Sequence, residues 1–307
     1  MRVLVTGSSG FLGRHVCKAL REAGRTPFEA LHADYDLTDP SDVERLYQDS
    51  NPDVVIHLAA EVGGIGANQA NPGRYFYANM AMGLNMIEWA RRYEVKKFVQ
   101  VGTVCAYPCN TPVPFSEDDL HNGYPEPTNA PYGIAKRALW TMLDAYRRQY
   151  DLHSVYLLLA NLYGPGDNYD PASSHVIPAI IRKVDEAMKA GEDTVTLWGT
   201  GTPTREFLYV KDAARAIVQA ALHWDITDPI NIGADYKHAI RICRLADKIR
   251  KAMGYEGRVV WDDTKPDGQP RRCLSTLRAE ALGFRAETAL SDGLAETIKQ
   301  WRASRAV

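Results

Sequence analysis

The chain has 307 residues, of which 45% are hydrophobic and 24% are charged, and its formal net charge is −2. This composition is typical of a globular protein with a large core, and the charge balance gives no general attraction to nucleic acid or to a membrane surface. The sequence contains no apolar run near the roughly 20 residues that a membrane-spanning helix needs. Five cysteines form a sparse, odd-numbered set that indicates a reducing compartment, so we expect a cytoplasmic protein.

The N-terminal segment combines a strand, a glycine-rich turn and a helix. Val3–Thr6 is a short apolar run typical of a buried parallel strand, and Gly7, Gly10 and Gly13 follow it at regular spacing. An apolar stripe with helical periodicity then begins at Phe11. Glycines in this context let the backbone approach a pyrophosphate at the N-terminus of the helix. The segment therefore predicts a dinucleotide-binding turn.

The second strand, near 27–31, is weakly marked, although its end selects the cofactor. An acid there holds the ribose 2′-OH of NAD, whereas an arginine accepts the 2′-phosphate of NADP. The sequence at 32–34, His-Ala-Asp, decides neither way, and Arg14 is the only cation near the turn. Asp36 is a candidate acceptor for the adenine amino group and, equally well, a turn or N-cap acid before a helix from Ser41.

Strands and helices continue to alternate through the first half of the chain. Residues 53–60 form the third predicted strand, 63–66 a glycine-rich loop, and 75–92 a long helix. Residues 97–101 form the fourth strand, and a proline-rich loop follows it. This alternation predicts an α/β protein with a Rossmann-type, doubly wound parallel sheet.

A hydroxyl residue, a tyrosine and a lysine form a candidate catalytic group. Thr103 follows the fourth strand, and Tyr132 and Lys136 lie about one turn apart on a helix predicted over 132–149. The lysine cation is expected to lower the pKa of the phenol, and the threonine hydroxyl to orient a carbonyl oxygen. A Tyr-x-x-x-Lys pair alone is more often part of a solvated helix face. The catalytic interpretation therefore depends on the other motifs in the chain.

The regular alternation ends after the strand at 154–159 and the segment that closes at Pro165. We expect residues 1–165 to form an NAD(P)-binding Rossmann domain, to which segments near 204–233 return. Residues 166–307 are expected to form mainly a smaller mixed α/β lobe that binds the substrate.

These features together resemble the extended short-chain dehydrogenase/reductase superfamily that acts on nucleotide sugars, and within it the family of GDP-L-fucose synthases. The resemblance covers nearly the whole chain. The segments that carry it are 57–65, 127–136, 161–165, 174–178, 198–208 and 264–268.

The resemblance implies 3,5-epimerisation and 4-keto reduction of a GDP-4-keto-6-deoxy-mannose-type substrate to GDP-L-fucose or a close relative. It assigns the reduction to Thr103, Tyr132 and Lys136, and the proton transfers at C3 and C5 to Cys105 and His175. Free Cys and His side chains exchange protons at about pH 8.5 and 6.5, which suits this chemistry. Taken alone, the cysteine would be a small buried hydrophobe and the histidine a helix-start residue.

The resemblance also implies the residues that bind cofactor and substrate. NADP is the expected cofactor, with NAD possible, and its predicted site consists of Gly7, Gly10, Phe11, Leu12, Gly13, Asp36, Leu37, Leu58, Ala59, Ala60, Asn79, Tyr132, Lys136, Leu162 and His175. The predicted GDP-sugar site consists of Asn161, Val176, Lys183, Trp198, Arg205 and Lys265. Arg205 is suited to binding the diphosphate because its guanidinium can donate to two oxygens. Trp198 is expected to pack near the base or the sugar, and the alternative is a buried tryptophan that fills the core. No further ligands complete a zinc site around Cys105 and Cys109.

Two alternative functions remain open from the sequence. One is a GDP-sugar 4-reductase or epimerase that acts on another sugar, for example a GDP-heptose, without inversion at C3 and C5. The other is a non-enzymatic NAD(P)-binding regulator, which the retained tyrosine, lysine and threonine disfavour. The resemblance further implies a homodimer formed through a four-helix bundle, with apolar faces supplied by Ala81, Met82, Trp89, Trp140 and Leu143.

Overall fold

The structure is a computed structural model that describes residues 1–305. Its strands are β1 (Val3–Thr6), β2 (Pro27–Ala30), β3 (Val54–His57), β4 (Lys97–Thr103), β5 (Ser154–Leu159), β6 (Asn161–Tyr163), β7 (Thr194–Trp198), β8 (Thr204–Arg205), β9 (Phe207–Tyr209), β10 (Ile230–Ile232), β11 (Ile240–Arg241), β12 (Arg258–Asp262) and β13 (Arg271–Arg272). Its helices are α1 (Phe11–Glu22), α2 (Pro40–Ser50), α3 (Ile65–Ala70), α4 (Pro72–Arg92), α5 (Ala130–Tyr150), α6 (Val176–Ala190), α7 (Val210–His223), α8 (Ile242–Met253), α9 (Leu277–Ala281) and α10 (Leu290–Ser304). Short 3₁₀ turns cover Val104–Ala106, Glu117–Asp119 and Tyr236–His238.

Six parallel strands form the central sheet, in the order β10-β5-β4-β3-β1-β2. All six residues of β5 are buried, as expected for a parallel strand that helices cover on both sides. The α/β fold class predicted from the sequence is therefore confirmed. The strand order reverses between β1 and β3, where Thr6 and His57 are register neighbours. Ligands of such sheets bind beyond the carboxyl ends of the strands at this reversal.

A second cluster of buried apolar side chains joins α6, α8 and α10 to the parallel pair β7 and β12. Helix α10 has no counterpart among the predicted elements, and it buries Leu294, Ile298 and Trp301 in this cluster. The chain returns to the main sheet at β10, which pairs with β5. The division into domains at residue 165 stays a prediction.

The glycine-rich loop predicted at 63–66 is wrong in its second half, because α3 begins at Ile65. Gly64 occupies the N-cap position with extended backbone. The Nδ2 atom of Asn68 donates to the carbonyl oxygens of Gly63, at 2.7 Å, and Gly64, at 3.1 Å. These bonds close the turn and let the helix start earlier than the glycine content indicates.

Within residues 1–305, none of the helices is both long and apolar enough to cross a bilayer.

A buried carboxylate joins segments that are distant along the chain. Glu206 is 1% exposed and accepts hydrogen bonds from the backbone N–H groups of Leu274, at 2.8 Å, and Ala234. Burial raises the pKa of Glu206 to about 7. The Leu274 donor is buried and the Ala234 donor is partly buried, so the carboxylate satisfies N–H groups that would otherwise destabilise the fold.

We expect Glu206→Ala to lower the free energy of unfolding by about 2 to 5 kcal/mol, since one buried and one partly buried N–H group lose their acceptor. Urea denaturation measures the change. Glu192→Ala removes an exposed carboxylate and is expected to leave stability within about 0.5 kcal/mol of the parent. Equal midpoints for the two variants would contradict the structural role of Glu206.

Candidate active site

The candidate catalytic residues meet where β4 ends and α5 begins. Thr103 is the last residue of β4, and its Oγ1 accepts a hydrogen bond from the backbone N–H of Cys105 at 3.2 Å. This bond caps the 3₁₀ turn and leaves the threonine O–H free to donate to a ligand. A Cβ atom at Gly133 would lie 3.0 Å from the carbonyl carbon of Cys105. Glycine at that position therefore lets α5 pack directly on the turn that carries the cysteine.

Tyr132 and Lys136 are both buried, with 7% and 2% of their surfaces exposed. The lysine Nζ lies 5.9 Å from the centre of the tyrosine ring. Burial raises the pKa of Tyr132, with a smaller contribution from Cys105, and burial lowers the pKa of Lys136 to about 8. The sequence-based expectation of a lowered tyrosine pKa is therefore wrong, because desolvation dominates. At neutral pH the phenol keeps its proton, which suits a proton donor.

The lysine gives the site a pH limit. Its pKa of about 8 means that Lys136 is a cation at neutral pH and loses its charge as the pH rises through about 8. The cation stabilises the phenolate that forms when Tyr132 donates its proton. We therefore expect kcat for reduction to fall above about pH 8, measured from about pH 6 to 10. A pH profile of kcat that stays level to about pH 9.5 would contradict this role. Lys136→Met should abolish most activity, and the activity that remains should not fall above about pH 8.

Cys105 and His175 come from different parts of the chain. Cys105 is half-buried beside Tyr132, and its Sγ accepts a hydrogen bond from Nη1 of Arg272 at 3.4 Å. His175 is the N-cap residue of α6, and its side chain makes no capping bond. The residue is exposed as a whole, yet desolvation of its ring lowers the pKa of His175. The His175 side chain is thus free of the capping role that would explain it otherwise, whereas Cys105 also packs against the edge of the main apolar core.

The glycine turn has the shape that a dinucleotide needs. Gly7 has φ of +67°, and a Cβ there would lie 2.8 Å from the Ala59 nitrogen. A Cβ at Gly13 would lie 2.7 Å from Cα of Ser8. Helix α1 begins after Gly10, which has no side chain to cap the first N–H groups. These N–H groups are consequently available to a phosphate.

A buried amide on α4 also fits a bound cofactor. Nδ2 of Asn79 donates to the carbonyl oxygens of Glu61, at 2.8 Å, and Tyr75, at 2.7 Å. Its Oδ1 is buried and has no hydrogen-bond partner among residues 1–305. Such an acceptor is costly unless a ligand donates to it. The remaining predicted cofactor residues that flank the sheet are half-buried, and these are Phe11, Leu12, Leu58, Ala59, Ala60 and Leu162.

The acid predicted to bind adenine has a structural role of its own. Oδ1 of Asp36 accepts from both the N–H, at 2.9 Å, and the hydroxyl of Thr38, at 2.8 Å. These bonds lower the pKa of Asp36. The N-cap of α2 is Asp39, and Leu37 is buried. A turn role and an adenine contact through Oδ2 are compatible.

Arg14 is not the only cation near the cofactor end of the sheet, and that expectation is wrong. Arg45 on α2 donates to the carbonyl oxygen of Asp34 at 2.7 Å, and its guanidinium stacks 4.5 Å from the centre of the Tyr35 ring. Arg14 itself donates to the Gly166 carbonyl at 3.4 Å. The stacking places a guanidinium on the loop after β2, where a 2′-phosphate would lie.

The predicted substrate residues come from β6, α6, β7, β8 and the loop after β12. Arg205 donates to the backbone carbonyls of Thr204, at 3.0 Å, and Asp267, at 3.3 Å. Burial, followed by the repulsion of Arg272, lowers the pKa of Arg205 to about 10, so the side chain is a cation at neutral pH. Lys183 is half-buried and donates to the Thr196 carbonyl at 2.8 Å.

Trp198 is 61% exposed, so it does not fill the core. Nζ of Lys265 lies 5.7 Å from the centre of its ring. Asn161 donates to the Glu206 carbonyl at 2.9 Å, and Val176 begins α6 against the second apolar cluster. An exposed aromatic face beside lysine is suited to stacking a base.

Comparison with known proteins shows which family this chain belongs to. Residues 3–233 match the NAD dependent epimerase/dehydratase family. The GDP-L-fucose synthase of Sinorhizobium fredii is 39% identical over 98% of this chain and 95% of its own length. The GDP-L-fucose synthase of Escherichia coli is 39% identical over 98% of this chain and 96% of its own. The chain belongs to the GDP-L-fucose synthase family.

The family resemblance read from the sequence is therefore confirmed, and the chain is an NAD(P)-dependent oxidoreductase and epimerase. A solved GDP-L-fucose synthetase of Naegleria fowleri, bound to NADP, superposes with a TM-score of 0.90 at 26% identity. The match covers 100% of this chain and 95% of that one. Individual site residues remain predictions at this point, because these matches concern whole chains.

Proposed function

We propose that this family member inverts C3 and C5 of a GDP-4-keto-6-deoxy-mannose-type substrate and then reduces its 4-keto group, giving GDP-L-fucose or a close relative. The convergence of Thr103, Cys105 and Tyr132 at the end of β4 carries the proposal. A keto oxygen held by the threonine hydroxyl lies beside both a thiol and a phenol. One site can thus exchange protons next to the carbonyl and protonate its oxygen.

In the epimerisation, the 4-keto group acidifies the protons on C3 and C5. One member of the pair formed by Cys105 and His175 removes such a proton, and the electron pair of the broken C–H bond passes into the keto oxygen as an enolate. The hydroxyl of Thr103 donates to that oxygen. The other member returns a proton to the opposite face of the carbon, which inverts the centre.

In the reduction, Tyr132 donates its proton to the C4 oxygen and Lys136 stabilises the phenolate that remains. NADPH, when bound, supplies the hydride for C4. Arg205 clamps the diphosphate with Lys183 nearby, and Trp198 stacks on the base or sugar. These side chains hold the sugar ring over β4 so that the two stages share one bound orientation.

NADP is the proposed cofactor of this chain. The glycine turn and the unpartnered Oδ1 of Asn79 support a bound dinucleotide. Arg45 places a guanidinium on the loop after β2, where it also pairs with Asp42 at 2.7 Å, and a cation in this position suits a 2′-phosphate. NADH is expected to serve less well because it lacks the phosphate that this cation would bind.

The proposal is tested by incubation with GDP-4-keto-6-deoxy-mannose in deuterated water, with NADPH and NADH in separate reactions. The expected product carries deuterium at C3 and C5 and forms faster with NADPH. A reduced product without deuterium would instead establish a GDP-sugar 4-reductase, and no consumption would indicate another sugar, such as a GDP-heptose.

We also propose that the chain forms a homodimer through α4 and α5. Phe76, Tyr77 and Leu84 of α4 are exposed, as is the nearby Tyr124. A contiguous apolar face of this kind is typical of an interface. Of the side chains that the sequence analysis assigned to this face, Leu143 is buried, whereas Met82, Trp89 and Trp140 pack partly against the core and keep some exposed surface.

The dimer interface can be tested with one charged substitution. Leu84 is 41% exposed, and Leu84→Glu would place a charge in the apolar face. We expect light scattering to show a monomer for this variant and a dimer for the parent, since a desolvated unpaired charge opposes association. Leu277→Glu, at a residue that is 74% exposed on α9, is the matched control and is expected to remain dimeric. A parent protein that is monomeric would end the proposal.

The cytoplasm remains the proposed location. All five cysteines are free thiols, which suits a reducing compartment.

A further inference from the structure

Arg272 carries a buried guanidinium that pairs with no carboxylate in the part of the chain that the structure describes. It is 8% exposed, lies on β13 and is the register neighbour of Arg205 on β8. Within residues 1–305 neither arginine forms an ion pair with an acid. Burying an arginine without an opposite charge is costly, so a partner of another kind is expected.

The contacts of Arg272 direct it at the candidate cysteine. Its Nε donates to Oε1 of Gln269 at 3.1 Å, and Nε2 of Gln269 donates to the Cys109 carbonyl at 2.7 Å. Its Nη1 donates to Sγ of Cys105 at 3.4 Å. Gln269 is itself 9% exposed, so its amide and the Arg272 guanidinium form a buried hydrogen-bond network. This network ends at Sγ of Cys105.

Two guanidiniums lie near this sulfur, and the carboxylates of Asp267 and Glu126 act on Arg205 with smaller effects than Arg272 does. Arg205 lies close enough to repel Arg272, and that repulsion, together with the larger effect of burial, lowers the pKa of Arg205. A thiolate beside two guanidiniums would receive a stronger hydrogen bond from Arg272 than a neutral thiol does, because both partners would be charged. Its negative charge would also relieve the repulsion between the two arginines, which a neutral thiol cannot do.

We propose that Arg272 is a positioning residue that holds Cys105 as a thiolate and thereby makes Cys105 the base of the epimerising pair. This role rests on the proposed function. The thiolate takes the proton from the carbon next to the keto group, and the C–H electron pair moves onto the keto oxygen. Cys105 becomes a neutral thiol, and the Arg272 cation remains charged throughout. His175 is then the group that returns a proton to the opposite face.

The test measures thiolate content without substrate. Iodoacetamide reacts with the thiolate, and peptide mass spectrometry reads alkylation at Cys105 separately from Cys109 across the pH range. We expect Arg272→Gln to slow alkylation of Cys105 about tenfold near neutral pH and to move its pH midpoint upward by about one unit, the effect of losing an adjacent cation. Arg272→Lys should restore much of the rate because it restores the charge.

Two further variants separate electrostatics from folding. Arg271→Gln removes the exposed neighbouring arginine, which makes no hydrogen bond to Cys105, and should leave the alkylation profile unchanged. Gln269→Leu removes the amide that holds Arg272 and should give an intermediate shift. Circular dichroism melts verify that each variant is folded.

An unchanged pH midpoint in folded Arg272→Gln would overturn the role of Arg272. Failure of the proposed function looks different, because the parent would then incorporate no deuterium at C3 or C5 while the alkylation shift persisted. A shift that appears equally at Cys105 and Cys109 would indicate a general loosening of the loop and would likewise overturn the proposal.

Discussion

Replacing Tyr132 by phenylalanine is expected to lower the rate of 4-keto reduction by about 10²- to 10⁴-fold, the usual contribution of a positioned general acid. Tyr132 is buried and keeps its proton at neutral pH, so it is ready to donate to the developing alkoxide. The lost hydroxyl leaves the ring in place, which keeps the effect on folding small. The measurement is NADPH oxidation followed at 340 nm under saturating substrate.

Deuterium incorporation gives the Tyr132→Phe variant an internal control, because exchange at C3 and C5 does not need the phenol and should persist. Tyr146→Phe is the matched control on the same helix, since the Tyr146 hydroxyl donates to Glu88 at 3.0 Å, away from the site. We expect this control to retain the parental rate. Loss of exchange together with reduction in Tyr132→Phe would show that the tyrosine acts on binding or on both stages.

The second large effect is expected at the epimerising step. Cys105→Ser replaces a thiol by an alcohol, which ionises far less readily, so we expect deuterium incorporation to fall by about 10²- to 10⁴-fold. The substitution also removes the sulfur atom that accepts a hydrogen bond from Arg272. The measurement is the rate of C3 and C5 exchange in deuterated water without a reducing cofactor.

Cys109→Ser is the matched control for this variant. Cys109 is half-buried on the same loop, and its backbone carbonyl rather than its thiol holds Gln269. We expect exchange at the parental rate in the control. A Cys105→Ser variant that still exchanges both positions would remove the cysteine from the mechanism and leave His175 to be tested alone.

The sequence predicts the parallel sheet and the Tyr132–Lys136 pair because both depend on local patterns. Apolar runs mark β1, β4 and β5 whatever the rest of the chain does, and spacing by four places two side chains on one helix face. The same spacing carries no information on burial. Desolvation reverses the expected direction of the Tyr132 pKa, and only the packed structure shows it.

Contacts between distant segments account for what the sequence analysis did not find. Cys105 and Arg272 are 167 residues apart, and no spacing rule connects them. Arg45 reaches the loop after β2 from the following helix, where its stacking on Tyr35 depends on the turn geometry. In the sequence, Arg271 and Arg272 look like a solvated surface pair. The parallel pairing of β13 with β8 places Arg272 in the interior, and only the folded structure shows this.

The position of β10 in the sheet bears on how the protein is synthesised. Strand β5 emerges from the ribosome with six residues that will all be buried, but its outer partner is encoded only at Ile230–Ile232. During the synthesis of the intervening residues, the nascent sheet presents an unpaired and apolar edge of the kind that captures other chains. Translation that stalls in this interval would therefore release an aggregation-prone fragment, and chaperone demand should be greatest there.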